Sequence, residues 1–276
     1  MIDRPGDAHR EAVEAWRTQR YARLRSETGW LSLAGLGWLK PGINRIGSAE
    51  DADVVLPDGP PVAGTVTLRD GVATADGAFL NDGQPVRDLI LTSDADGKPT
   101  MLELGTLRLC VIDRGGRLAI RTWDTDAAAR HEFGGIDHWP VDPRWQLDAR
   151  LEATPGRTID VPDVFGLTAS QPSPGDVAFE VDARTHRLQA LSGGDEGQLW
   201  LIFGDATNGN ETYGGGRYLY TEAPAADGAV AVDFNRAYNP PCVFTHFATC
   251  SLPWPANRLP IRVEAGEKSW HGPAGR

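Results

Sequence analysis

Apolar positions recur at helical spacing only once, near the start of the chain. Between Asp7 and Glu27, Ala12, Ala15 and Trp16, continued by Gln19 and Arg23, share roughly one side, with Arg and Glu elsewhere. That spacing predicts a single amphipathic helix. Asp7 suits its N-cap, Glu11 and Glu14 lie toward the positive end of its dipole, and Thr28-Gly29 stops it. Trp30–Leu39 is then almost wholly apolar, but Gly35 and Gly37 sit inside it. Glycine disfavours helix, so this stretch reads as buried extended or turn structure. From residue 43 the pattern becomes short apolar runs cut by turn residues. The runs include Val54–Leu56, Ala63–Arg69, Leu107–Asp113 and Arg117–Trp123 in the first half, then Asp148–Ala153, Ile159–Val161, Asp176–Val181, Arg187–Leu191, Gln198–Phe203, Arg217–Glu222, Ala229–Phe234 and Arg258–Glu264. Asp70-Gly71, Asn81-Asp82-Gly83, Asp96-Gly97 and Gly115-Gly116 separate strands of the first half. Turn signals at this spacing predict a mainly β fold.

A shift in composition near residues 124–140 divides the strands into two groups. The expected organisation is a helix and apolar connector over 1–40, a β-sandwich over 41–125, and a C-terminal antiparallel β barrel or sandwich over 126–276. With 276 residues, 41% hydrophobic, nine Trp and eight Phe, the chain has ample core material, which excludes global disorder. The 32 glycines and 20 prolines, without a strict repeat, agree with turn-rich β structure.

Charge narrows the partners. Lys and Arg total 27 against 38 Asp and Glu, a net charge of −11, which opposes a general nucleic-acid or anionic-membrane surface. No apolar run approaches the roughly 18 residues of a membrane span. The mixed-charge start, Met1–Arg10, predicts no signal segment and a cytoplasmic location. There Cys110, Cys242 and Cys250 are expected as thiols, although Cys242 and Cys250 could pair across a hairpin. No C-x-x-C occurs, and His131, Asp137 and His138 match no compact metal site, so no metal is expected and the residues name no cofactor.

Several blocks resemble a known family. Trp30–Leu39 with Gly42–Ser48, Thr212–Leu219, Asp233-Phe234-Asn235-Arg236-Ala237-Tyr238-Asn239-Pro240-Pro241-Cys242, and Asn257–Pro260 with Ala265–Lys268 are similar to the bacterial family of domain of unknown function 1684. The resemblance spans nearly the whole chain but implies no activity. A second resemblance concerns the first β half. Ile46-Gly47-Ser48, Ala52–Pro57 and Phe79–Val86 look like a forkhead-associated β-sandwich. That family reads phosphothreonine with a Gly-Arg turn, a Ser and an Asn. Ser48 stands where the Arg would be, so the resemblance implies the fold alone.

Candidate chemistry gathers in the family-like blocks of the second half. Asp233, Asn235, Arg236, Tyr238 and Asn239 form the densest group of hydrogen-bonding side chains, and Pro240-Pro241 shapes the loop beyond them. Arg217, Arg236 and Arg258 are expected to clamp an anion, because guanidinium groups make bidentate contacts with carboxylate or phosphate. Asn235, Tyr238 and Asn257 would orient the ligand, and Asp233 or Glu267 would act as acid or base. The function expected is binding of a small polar or anionic ligand in a C-terminal pocket, with hydrolase-like chemistry as an option. The competing reading is that these residues satisfy one another as buried polar groups must. A different class, a non-catalytic interaction protein using the sandwich and its Ser48 and Asn81-Asp82-Gly83 loops, is the alternative. Weaker candidates are a Cys242–His246 nucleophile, a phosphate loop at Gly214-Gly215-Gly216, and an aromatic sugar platform among Trp30, Trp38, Trp139, Trp145 and Trp254.

Overall fold

The computed structural model describes residues 7–194 and 197–272, so Met1–Gly6 of the charged N-terminal segment lie outside the described residues. The protein is mainly β, with 44% strand against 14% helix, as the turn spacing predicts. Among the described residues no helix is long and apolar enough to cross a membrane. Two compact units partition the chain. One takes Ala22–Phe133 with Phe244–Ala248; the other takes the chain up to Tyr21, Gly134–Val243 and the chain from Thr249 on.

The expected helix is α1 (Asp7–Leu24). Its end is sealed by Gly29, whose added Cβ would lie 2.3 Å from the Leu24 carbonyl oxygen. The first unit is then built from β1 (Leu33–Trp38), β2 (Gly42–Gly47), β3 (Val54–Val55), β4 (Gly64–Arg69), β5 (Val72–Gly77), β6 (Leu80–Asn81), β7 (Gln84–Pro85), β8 (Leu89–Leu91), β9 (Leu102–Leu104), β10 (Leu107–Arg114) and β11 (Arg117–Asp124). Six strands in the order β1-β11-β10-β9-β6-β7 form one sheet and five in the order β3-β2-β4-β5-β8 the other. Ile46, Val66 and Ala75 from the five-stranded sheet share one buried cluster with Leu102, Leu109 and Ile120 from the six-stranded one, so alternate side chains of both sheets supply a common core. The tight hairpins adopt left-handed backbone at both turn residues: Asp70 and Gly71 at φ 48° and 79°, Gly115 and Gly116 at 66° and 82°. Glycine and aspartate tolerate that geometry, and it matches strand twist.

One boundary differs from expectation. The apolar stretch 30–39 is not a connector apart from the sandwich, because β1 pairs with β11 from Leu33↔Trp123 to Trp38↔Ala119. Its glycines serve packing: a Cβ on Gly37 would sit 2.7 Å from Val54 Cγ1.

The second unit holds β12 (Gln146–Pro162), β13 (Thr168–Val181), β14 (Arg184–Ser192), β15 (Leu199–Phe203), β16 (Arg217–Tyr220) and β17 (Ala229–Asp233), in the order β16-β15-β14-β13-β12-β17. The two runs expected at 148–153 and 159–161 are one long strand with a register shift between Ala153 and Arg157, where Pro155-Gly156 interrupts the ladder. Val177, Phe179, Leu188, Leu201, Phe203, Leu219, Val232 and Phe234 form its core, joined by Val263 and Ala265 from the C-terminal segment, where the strand expected over Arg258–Glu264 is replaced by irregular chain with a single bridge from Arg258 to Gly204. α1 is tied on within this unit by polar contacts. Arg17 donates to the Trp139 carbonyl at 3.1 Å, and the Tyr21 hydroxyl donates to the Ile136 carbonyl at 3.1 Å.

Candidate functional site

β17 ends at Asp233, whose carboxylate begins the next element. Oδ1 accepts the Asn235 amide N–H at 3.1 Å, capping the 3₁₀ turn Phe234–Arg236. Phe234 is fully buried against Phe203 and Phe179, at ring separations of 5.2 and 5.5 Å. The turn is thus anchored from below by apolar packing and from above by a carboxylate. Asn235 is fully buried and clamps residue 142 from both sides. Its Oδ1 accepts the Asp142 N–H, and its Nδ2 donates to the Asp142 carbonyl and to Asp233 Oδ1, all at 2.9 Å. Asn235 is therefore a scaffold for Asp233.

The other Asp233 oxygen, Oδ2, lies 2.9 Å from His9 Nε2, on α1, and 3.5 Å from Arg236 Nε. Side chains of His9 and Asp233 are 12% and 11% exposed, whereas Arg236 is 31% exposed. Nε2 faces the carboxylate, so Nδ1 is the ring nitrogen turned away from it. That nitrogen is buried and without a hydrogen-bond partner among the described residues. An imidazole oriented by a carboxylate, with its second nitrogen unspent, is the arrangement of a general base. Arg236 beside it is held by one loose ion pair.

Arg217 and Glu267 lie elsewhere and are fully buried. Arg217 is paired with Asp205 Oδ2 at 3.2 Å, donates to the Val263 carbonyl at 2.8 Å, and also bonds the Ala265 carbonyl. Its guanidinium packs against the Phe203 ring, 5.3 Å from the ring centre. Burial pulls its pKa down to about 10 while Asp205 opposes the shift, so it stays protonated at neutral pH. Glu267 accepts Arg20 Nε on Oε1 at 3.1 Å and the Asn239 N–H on Oε2 at 2.7 Å. Arg20 also donates to the Asn239 carbonyl and lies 4.5 Å from the Tyr238 ring centre. These groups fasten α1 and the C-terminal segment to the sheet. The anion clamp expected of Arg217 and the acid/base role expected of Glu267 do not fit this geometry, since both are fully buried and their charges already face Asp205 and Arg20.

The remaining candidates disperse. Asn257 is fully buried and bonds Gln189 at both its N–H and carbonyl, plus the Ile202 carbonyl. Exposed Arg258 donates to the Pro253 carbonyl at 3.3 Å. Tyr238 packs edge-to-face on Tyr218 at 5.8 Å. The last residue of the triple glycine, Gly216, has φ 86°, and an added Cβ would come 2.6 Å from the Phe203 carbonyl oxygen. The glycine serves the chain's own backbone there. Trp38 and Trp139 lie under Arg117 and Lys268, and Trp254 donates to Gln189 at 2.6 Å, so these rings are engaged internally. His246 is exposed in the segment grouped with the sandwich, while Cys242 contacts Cys250 and Tyr213 in the other unit. Among the described residues no group of three or more His, Cys, Asp and Glu could hold a metal ion.

The sequence pattern of a family described as protein of unknown function (DUF1684) matches residues 131–268. The chain belongs to the DUF1684 family. A search of curated proteins finds no match. Among solved structures, the chain is similar to the solution NMR structure of an uncharacterized protein of Haloarcula marismortui. Identity is 27%, the match covers 51% of this chain and 79% of that one, and the TM-score is 0.42. The DUF1684 segment includes Asp233, Arg236 and Glu267, but His9 lies outside it and is brought to Asp233 by α1. Sequence reasoning missed His9 because a lone histidine on a surface helix carries no motif. Its partner is 224 residues away.

Proposed function

We propose that His9, Asp233 and Arg236 form the working site of this DUF1684 protein. In this reading Arg236 holds a small anionic or polar ligand, and His9, oriented by Asp233, exchanges a proton with it or with a water beside it, as hydrolase-like chemistry requires. The observation that carries it is the buried, unpartnered Nδ1 of His9 beside an arginine with a single loose ion pair. The same reading takes the chain as a cytoplasmic protein with its three cysteines as thiols. The sandwich alternative draws less support, because Ser48 donates to the Gly59 carbonyl at 2.7 Å and Asn81 to the Met101 carbonyl at 2.8 Å. The six-plus-five strand arrangement supports a forkhead-associated-like reading of the sandwich fold, without its ligand chemistry.

Thermal melts in phosphate and in citrate test the site. An anion at tenfold its Kd stabilises the wild type by about 1.4 kcal/mol. Arg236→Ala should abolish that rise, and Arg258→Ala should leave it intact. A wild-type melting temperature unmoved by either anion refutes the ligand role of Arg236.

A further inference from the structure

We propose that Cys242 and Cys250 form a thiol–disulfide exchange pair that takes low-molecular-weight disulfides as its substrates. Both are thiols in this structure. The Cys242 N–H reaches Cys250 Sγ at 2.9 Å, and the two side chains are in hydrogen-bond contact. Neither position is loose. Cys242 lies in the 3₁₀ turn Pro241–Val243, behind Pro240. Cys250 is fixed through its backbone: its carbonyl accepts the Val164 N–H at 2.9 Å, and two residues on the Leu252 N–H reaches the Pro162 carbonyl at 2.7 Å. Two thiols in hydrogen-bond contact on separately braced segments are placed for their sulfurs to join.

The two thiols also differ in the way an attacking and a resolving cysteine must. Cys242 is half-buried, and the Cys250 thiol first and then the Tyr213 hydroxyl donate to its sulfur, which pulls its pKa below the ordinary thiol value against the opposing effect of burial. Cys250 is buried, and desolvation pushes its pKa up. Cys110, in the other unit, is buried with its pKa pushed up to about 11, so it stays inert at neutral pH. In the first step the Cys242 thiolate attacks one sulfur of an external disulfide RSSR, and RS⁻ leaves and takes up a proton. In the second, the Cys250 sulfur attacks the Cys242 sulfur of the mixed disulfide, loses its proton, and expels a second RS⁻. The sum is two protein thiols plus RSSR giving one internal disulfide plus two RSH. The bond closes a loop over the seven residues 243–249.

Glutathione disulfide is the probe. Wild type incubated with it should lose two of its three thiols, fall in mass by two hydrogens, and yield a cross-linked peptide joining residues 242 and 250. Dithiothreitol should restore the thiols. Cys250→Ser should stop at a glutathione adduct on Cys242, and Tyr213→Phe should slow the first step severalfold, because its hydroxyl no longer steadies the thiolate. The wild-type peptide map decides the matter even where a variant fails to fold. Retention of all three thiols, a stable adduct on the wild type, or a bond that includes Cys110 overturns the proposal.

Discussion

Replacing Arg217 by Met separates the buried, structural arginine from the proposed ligand-binding Arg236 most sharply. The methionine fills much of the volume but leaves Asp205, whose side chain is fully buried, without its cation. Asp205 would keep two donors, the Val263 N–H at 2.6 Å and the Thr207 hydroxyl at 2.8 Å. The Val263 and Ala265 carbonyls would lose the bonds they accept from the guanidinium. Removing one partner of a buried ion pair costs about 3–5 kcal/mol. At about 2–4 °C per kcal/mol for a unit of this size, the melting temperature should fall by roughly 6–20 °C. Arg236→Ala is the matched comparison. Its 3.5 Å pair is partly exposed, and Asp233 would keep His9 Nε2, the Asn235 N–H and Asn235 Nδ2. Partly exposed pairs contribute about 0–1 kcal/mol, so this change should cost no more than about 1 kcal/mol. Urea titrations followed by tryptophan fluorescence, with thermal melts alongside, measure both. Equal losses, or an Arg217→Met variant within about 1 kcal/mol of wild type, would refute the division between the two sites.

Other changes follow from the same packing. Gly216→Ala should cost about 1–3 kcal/mol, since the residue sits at φ 86° against the Phe203 carbonyl. Gly214→Ala, whose nearest neighbour would be 3.8 Å away, should cost less than Gly216→Ala by chemical denaturation. His138 titrates below its ordinary value of 6.5, first because it is buried and then because Arg17 is near. The folded state therefore binds that proton less readily than the unfolded chain. The stability this confers is complete above pH 6.5 and is lost as pH falls below it. His138→Gln should flatten that part of the stability profile between pH 7.5 and 5.5; an unchanged slope would contradict the burial of a neutral imidazole.

Much of the fold was legible because its turns carry local chemistry. Asp70-Gly71 and Gly115-Gly116 announce left-handed hairpins, and the structure has them. Asp182-Ala183 makes the same kind of turn, at φ 52° and 57°, with no glycine to signal it. The connector at 30–39 hid its role because glycines weaken any strand pattern, yet here they let β1 approach Val54. In the candidate site, density of polar residues pointed to the loop that holds Asp233 and Arg236 but not to which of its side chains are buried and which stay partly exposed. Arg217, Glu267 and Asn257 fall among the same kinds of residue as Arg236, and only burial tells them apart. His9 was invisible because the pairing that gives it meaning is made by the tertiary fold.

The central claim is that His9 Nδ1, buried and without a partner among the described residues, serves as a base next to an anion-binding Arg236. Nitrogen-15 NMR of histidine-labelled protein, titrated with phosphate and assigned with His9→Gln, measures it directly. The account predicts a saturable shift of the His9 ring nitrogens in the wild type, no such shift in Arg236→Ala, and His138 unmoved in both. A His9 ring that ignores phosphate, or one whose Nδ1 already carries the proton while Nε2 does not, would contradict it.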